Sequence, residues 1–293
     1  GMKKVGFIGI GSYVPHKVLT NADLEKMVDT SDEWITTRTG IRQRRIVAQG
    51  EATSDLACKA ALHALEEAKI KPAHIDLLIV ATITPDMQFP STACLVQHRL
   101  GATNAICFDV AAACAGFVYA VTIAKQFIAR GSLKNALVIG AETLSTITDW
   151  QDRNTCVLFG DGAGACVLSE VKSGGILSSY LGSDGAMSEL LMIPGGGSRH
   201  PASHKSIDDR QHFIKMRGNE LFKIAVNAMA EAACKAVEQA GLKAEDIDLV
   251  IPHQANTRII NAVARKLGLT EDKIFLNIEK YGNTSSASTI IAL

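Results

Sequence analysis

ALEEAKIKPAHIDLLIVA (64–81) and AVEQAGLKAEDIDLVIPH (236–253) read as one segment written twice. Each passes from the end of an Ala-rich helical stretch through a turn to an Ile-Asp pair and a β-branched run. Ile75 and Ile247 stand 172 positions apart, and further on Arg99-Leu100-Gly101 parallels Lys266-Leu267-Gly268 at a displacement of 167. Chance could supply either match, but both in the same order favour two copies of one unit packed about a pseudo-two-fold axis. Outward from these anchors, short β-branched runs predict strands at 5–10, 75–82, 106–110, 135–142, 157–170 (as two runs, VLFG and ACVLSE), 247–252 and 274–279. Apolar spacing predicts helices over 53–69, 91–100, 115–130, 219–240 and 256–268. Such alternation predicts an α/β fold whose strands are largely parallel and buried on both faces. The expected halves are 1–172 and 173–293. On the repeat logic the second half stops part-way into its helix after Asn283, so two further sheet strands, about forty residues, are expected beyond Leu293.

Composition narrows the function. Of 293 residues, 47% are apolar and 20% charged, which supports a sizeable core and argues against disorder. Thirty Lys and Arg balance thirty Asp and Glu, which argues against a generally basic nucleic-acid surface or a polybasic membrane anchor while leaving room for a local basic patch. No apolar run approaches the ~20 residues of a membrane span. The opening GMKKVGFIGIGSYVP lacks the pattern of a signal peptide, so a cytoplasmic location is expected. Seven cysteines, odd in number and without a CxxC pair, argue against a disulfide framework or a zinc site.

Three residues stand out chemically. Cys114, in DVAAACAGF, follows a strand and opens a long apolar helix, where backbone N–H groups and the helix dipole favour a thiolate. It is either a nucleophile or a buried packing cysteine. His253, in VIPHQANTRI, follows a predicted strand, at the kind of strand end where α/β folds place their sites. Asn283, in YGNTSSAS, sits where a helix begins, and is either an N-cap or a site residue. A cysteine with two hydrogen-bonding partners suits acyl transfer through a thioester. Other candidates fall away. GIGSYVP lacks the third glycine of a dinucleotide fingerprint, with Val14 in its place, and GDGAGA (160–165) lacks the Lys-Ser/Thr of a phosphate loop and reads as a turn. His200 and His204 stand four residues apart, but with His212 they fall in a polar loop, and no other histidine pair has helical metal-ligand spacing, so no metal is expected.

DVAAACAGF, IPHQANTRII, GNTSSAS, DRNTCVLFGDGAGA and TSDEWITTRTGIRQR together resemble the motifs of β-ketoacyl-acyl-carrier-protein synthase III, a condensing enzyme of the thiolase superfamily. The resemblance runs in order along the whole chain. It implies a duplicated, five-layered αβαβα thiolase-like fold, usually a homodimer, that condenses an acyl-CoA primer, acetyl-CoA first among them, with malonyl-acyl-carrier protein to start type II fatty acid synthesis. No cofactor is implied, since the coenzyme A thioester is a substrate. By resemblance, Cys114 is acylated by the primer, and His253 and Asn283 bind the malonyl thioester carbonyl. Trp34 and Arg153 match positions that sandwich the coenzyme A adenine. Thr30, Arg38, Gly218 and Asn256 match others along the tunnel, and Phe89 matches the wall of the primer pocket. Lys223, Arg258 and Lys266 match a basic patch that meets the acidic carrier protein. The family's Gly-rich C-terminal loop has no counterpart in this sequence.

Alternative readings are a paralogue of the same fold acting in secondary metabolism, and a non-catalytic acyl-CoA or carrier-protein binding module. A papain-like cysteine hydrolase also uses Cys, His and Asn, but the papain-like cysteine context is absent and the chain is a duplicated α/β unit.

Overall fold

Leu77–Ala81 and Ala136–Glu142 are buried along their whole length. Their apolar side chains point alternately to both faces, so they can be satisfied only inside a sheet covered by helices on each side. The computed structural model, which describes residues 1–293, shows that sheet. Its five strands lie in the order Val5–Tyr13, Gly162–Glu170, Ala136–Glu142, Leu77–Ala81, Ile106–Val110. Leu77–Ala81 pairs in parallel with both of its neighbours, whereas Gly162–Glu170 runs antiparallel to both of its own. The sheet is therefore mixed rather than largely parallel, because only the strands joined through helical crossovers share a direction.

One face carries the helices Thr53–Ala68 and Thr92–Leu100, with Leu78, Val80, Leu137, Ile139 and Val167 beneath them. The other face packs Leu77, Ile79, Val138 and Leu168 against Phe117, Ala120, Val121 and Ala124 of the helix Gly116–Ala129 and against Ile290 of the short helix Ser288–Ala292. That second face brings a helix from each copy of the repeat against one sheet. Gly164 makes the approach possible, since a Cβ there would lie 2.3 Å from Ile290 Cγ2. GDGAGA is accordingly not a turn: its last four residues open the strand Gly162–Glu170, and its glycines admit the crossing helix.

The duplication is visible in the backbone. The turn Ala113–Ala115 leads into the helix starting at Gly116, and the turn Ser285–Ala287 leads into the helix starting at Ser288, again 172 positions later. Ala113 (φ 47°) and Ser285 (φ 50°) both hold the left-handed conformation that non-glycine residues seldom adopt. The parallel bridge between Val250 and Ile274 repeats the pair Leu78–Cys107, at displacements of 172 and 167.

The second copy differs in its strands. The runs expected at 247–252 and 274–279 meet at that single bridge, and Ile278–Tyr281 is a short helix. Pairing only with each other, the two runs build no ladder, and Leu249 and Leu276 stay about half exposed. VLFG (157–160) likewise forms no strand, because its backbone is occupied by Asn283: Asn283 N donates to Leu158 O at 2.9 Å, and Gly160 N donates to Asn283 O at 3.0 Å. The helices match expectation closely, and Gly218–Gln239 and Thr257–Leu267 pack together through Val226, Ile259 and Val263.

Candidate active site

Three chain segments converge on one cavity of about 860 Å³. Cys114 enters from the turn Ala113–Ala115, His253 from the loop after Val250, and Asn283 from the loop clamped to Leu158 and Gly160. Each position is locally enforced. The strained φ of Ala113 turns the chain sharply between sheet and helix and lifts Cys114 to the cavity wall. Gln254, almost wholly buried, fixes the loop of His253: its backbone N donates to Ser288 Oγ at 2.8 Å, its Nε2 donates to Pro252 O and Phe275 O, and its Oε1 accepts from Asn277 N and Ile278 N. Asn283 Oδ1 accepts from Ser285 N at 2.9 Å, which fixes the amide plane and leaves Nδ2 free to donate. Beneath it lies the buried guanidinium of Arg44, which donates to Val157 O at 2.8 Å and to Asn21 Oδ1 at 2.9 Å.

The electrostatics correct one expectation. A helix N-terminus favours a thiolate, yet burial pushes the Cys114 thiol up to about 11, and the nearby Glu142 carboxyl adds to the rise. Cys114 lies within the turn Ala113–Ala115, before the helix Gly116–Ala129 begins, and its low-dielectric surroundings outweigh the dipole. The Ser285 hydroxyl stands close enough to hold both Cys114 and Glu142 down, but it meets neither with full hydrogen-bond geometry. His253 is pushed the other way, down to about 4, by burial, and its Nδ1 is enclosed without a partner. At neutral pH the site therefore holds a neutral thiol and a neutral imidazole.

Five more of the expected residues line the same cavity: Trp34, Arg38, Gly218, Asn256 and Arg258. Ser31 caps the helix Asp32–Thr39 by accepting from Trp34 N, and the Arg38 guanidinium stacks over the Trp34 ring at 4.9 Å. Gly40 ends this helix with φ 77°, and a Cβ there would collide with Thr257 Oγ1, so the glycine sets how closely the helix approaches Thr257–Leu267. Asn256 caps Thr257–Leu267 through Ile259 N at 2.8 Å while lining the cavity.

The remaining five lie outside the cavity wall. Arg153 reaches Asp29 at 3.4 Å, and Thr30 adjoins that pair with its hydroxyl buried and unpartnered. Phe89 is 83% exposed on the surface. Lys223 and Lys266 are exposed on the packed helices Gly218–Gln239 and Thr257–Leu267, with the Lys266 ammonium bonded to Asn227, one turn beyond Lys223.

Sequence reading passed over Glu142, Gln254, Ser285 and the apolar cavity residues Phe222 and Met229. Ser285 had a signal, since it stands 172 positions after Ala113, the residue preceding Cys114.

A duplicated, layered α/β fold with a cysteine, a neutral histidine and an asparagine on one cavity defines an acyltransferase of the thiolase-like class. Sequence profiles described as 3-oxoacyl-[acyl-carrier-protein (ACP)] synthase III and as the C-terminal part of the same enzyme match residues 108–185 and 237–293. A β-ketoacyl-[acyl-carrier-protein] synthase III of Caldanaerobacter subterraneus is 60% identical over 98% of this chain and 87% of its own length. The crystal structure of the Aquifex aeolicus 3-oxoacyl-[acyl-carrier-protein] synthase III superposes with a TM-score of 0.90 at 52% identity, over 100% of this chain and 89% of that one. The priming β-ketosynthase of the R1128 polyketide pathway superposes with a TM-score of 0.93 at 36% identity, over 99% and 86%. The chain belongs to the β-ketoacyl-acyl-carrier-protein synthase III family.

Proposed function

We propose that the protein transfers the acyl group of an acyl-CoA, acetyl-CoA first among them, to Cys114. It then condenses that group with malonyl-acyl-carrier protein, releasing CO2 and forming 3-oxoacyl-acyl-carrier protein, the step that initiates type II fatty acid synthesis. The observation that carries the reading is the convergence of Cys114, His253 and Asn283 on one cavity. In the first half-reaction the thiol loses its proton as sulfur attacks the primer carbonyl, and coenzyme A leaves as its thiol. A neutral His253 can accept that proton, which an imidazolium could not. In the second half-reaction, donors from His253 and from Asn283 Nδ2 bind the malonyl thioester oxygen, where charge develops as CO2 departs. The resulting enolate carbon attacks the acyl-cysteine and expels the Cys114 thiolate.

The Trp34–Arg38 stack offers a flat platform for the adenine of coenzyme A, and Gly218 and Asn256 continue that wall. Thr30 and Arg153 extend the surface beyond it. Lys223, Arg258 and Lys266 present cations on two packed helices, which suits an acidic carrier protein. Homodimerisation through the unpaired edge strand Ile106–Val110 would pair its backbone, and would let the exposed Phe89 wall the partner's primer pocket. On this reading the two units are 1–172 and 173–293, a division supported by the end of the strand Gly162–Glu170 just before it. No helix is long and apolar enough to cross a membrane.

The test is to supply acetyl-CoA and malonyl-acyl-carrier protein and to follow CO2 release and the mass of the carrier protein. Appearance of 3-oxobutanoyl-carrier protein supports the reading, whereas acyl-CoA binding without CO2 release makes the chain a binding module.

A further inference from the structure

Glu142 ends the buried strand Ala136–Glu142, is itself completely buried, and takes part in none of the chain's ion pairs. A carboxyl in such a place survives only if hydrogen bonds replace its hydration. Its two oxygens face different copies of the repeat. Oε1 accepts from Thr82 Oγ1 at 2.7 Å, Ile83 N at 2.8 Å and Thr84 Oγ1 at 3.0 Å, all at the end of the neighbouring strand Leu77–Ala81. Oε2 accepts a long contact of 3.5 Å from Ser286 N in the second copy, next to the Ser285 hydroxyl. The same turn is tied back by Ser286 Oγ, which donates to Ala81 O at 2.7 Å, and it carries the N–H of Ser285 that orients the Asn283 amide.

We propose that Glu142 is a positioning residue of the condensing site: its carboxyl bolts the Asn283–Ser286 turn of the second copy to the strand ends of the first, and sets a negative charge beside the Cys114 thiol. This rests on the reading of the site as a condensing enzyme and assigns part of that site to a group that touches no substrate. The bolt acts on malonyl decarboxylation through Asn283. The charge acts on Cys114, whose titratable surroundings are Glu142 from the sheet and His253 across the cavity, with Arg38 and Arg258 along the same wall. Three donors converge on Oε1 and a fourth points at Oε2, an arrangement that suits a carboxylate, while burial raises the carboxyl above its ordinary range. Its charge then opposes the thiolate. Removing the charge while keeping the shape eases that ionisation.

The experiment compares wild type, Glu142→Ala and Glu142→Gln. Glu142→Ala leaves three donors and the Ser286 N–H unpaired, and should slow malonyl decarboxylation by roughly tenfold or more with little change in KM for malonyl-acyl-carrier protein. Glu142→Gln keeps an acceptor toward Thr82, Ile83 and Thr84 and should recover most of that loss. It should also let iodoacetamide alkylate Cys114 at lower pH than in wild type, a shift that a merely structural role would not produce. Should Glu142→Ala fail to fold, the alkylation profile of Glu142→Gln decides alone. Wild-type decarboxylation by Glu142→Ala, or alkylation profiles that coincide, would overturn the proposal. An inactive wild type would instead count against the function itself.

Discussion

Gly140→Ala tests how tightly the two copies of the repeat must meet. Gly140 lies in the middle of the sheet, paired with Ala81 on one side and Gly164 on the other. A Cβ there would stand 2.3 Å from Ser286 O, 2.8 Å from its carbonyl carbon and 3.2 Å from Ala287 N. The strand is held by ladders on both sides, whereas the turn Ser285–Ala287 is held by a few bonds, so the turn yields. Restoring ordinary contact displaces it by roughly 1 Å. Overpacking of this kind costs about 1–3 kcal/mol, a drop of several degrees in Tm for a chain of this size. The functional effect should be larger, because Asn283 takes its orientation from Ser285 N and a 1 Å misplacement of a catalytic group costs ~10² in rate. Malonyl decarboxylation and self-acylation by acetyl-CoA can be assayed separately. Decarboxylation should fall by about two orders of magnitude while self-acylation falls much less. A variant that melts lower yet decarboxylates at the wild-type rate would refute the claim that the Ser285–Ala287 turn positions the site.

Replacing His253 or Asn283 by Ala should likewise impair decarboxylation far more than self-acylation; equal losses in both half-reactions would show that the roles are wrongly divided. His253, held near 4 against an ordinary 6.5, takes up a proton more readily unfolded than folded, so its share of stability is complete above about 6.5 and lost as pH falls toward 4. Unfolding free energies measured across that window should fall with acidity more gently for His253→Gln than for wild type; parallel curves would contradict the burial of a neutral imidazole. Arg258→Glu or Lys223→Glu should raise KM for malonyl-acyl-carrier protein much more than KM for acetyl-CoA, and added salt should mimic the change. A carrier-protein KM indifferent to salt would remove the basic patch from the docking surface.

The parts legible in the sequence were those with local causes. Helix spans follow from apolar spacing, and the sheet strands 106–110 and 135–142 follow from short β-branched runs. The repeat at 64–81 and 236–253 located the fold before any contact was known. What failed was set by distant partners. VLFG has the composition of a strand, but its backbone belongs to Asn283, more than a hundred residues away. GDGAGA, lacking the Lys-Ser/Thr of a phosphate loop, reads as a turn, but its glycines serve a helix from the other copy. The thiol of Cys114 has the helix-opening context of a thiolate, but its burial depends on elements brought in from across the chain. Glu142 gave no local sign, since an acidic residue at a strand end is ordinarily exposed, and only the converging threonines and the Ser285–Ser286 turn make it part of the site.

The most direct test of the account follows one acyl group through Cys114. The protein is incubated with isotopically labelled acetyl-CoA, digested and mapped by mass spectrometry, with half of the sample first chased with malonyl-acyl-carrier protein. The account predicts label on the peptide containing Cys114 before the chase, none on Cys58, Cys94, Cys107, Cys156, Cys166 or Cys234, and quantitative transfer of that label into 3-oxobutanoyl-carrier protein after it. Label on a different cysteine, or label on Cys114 that survives the chase, would contradict it.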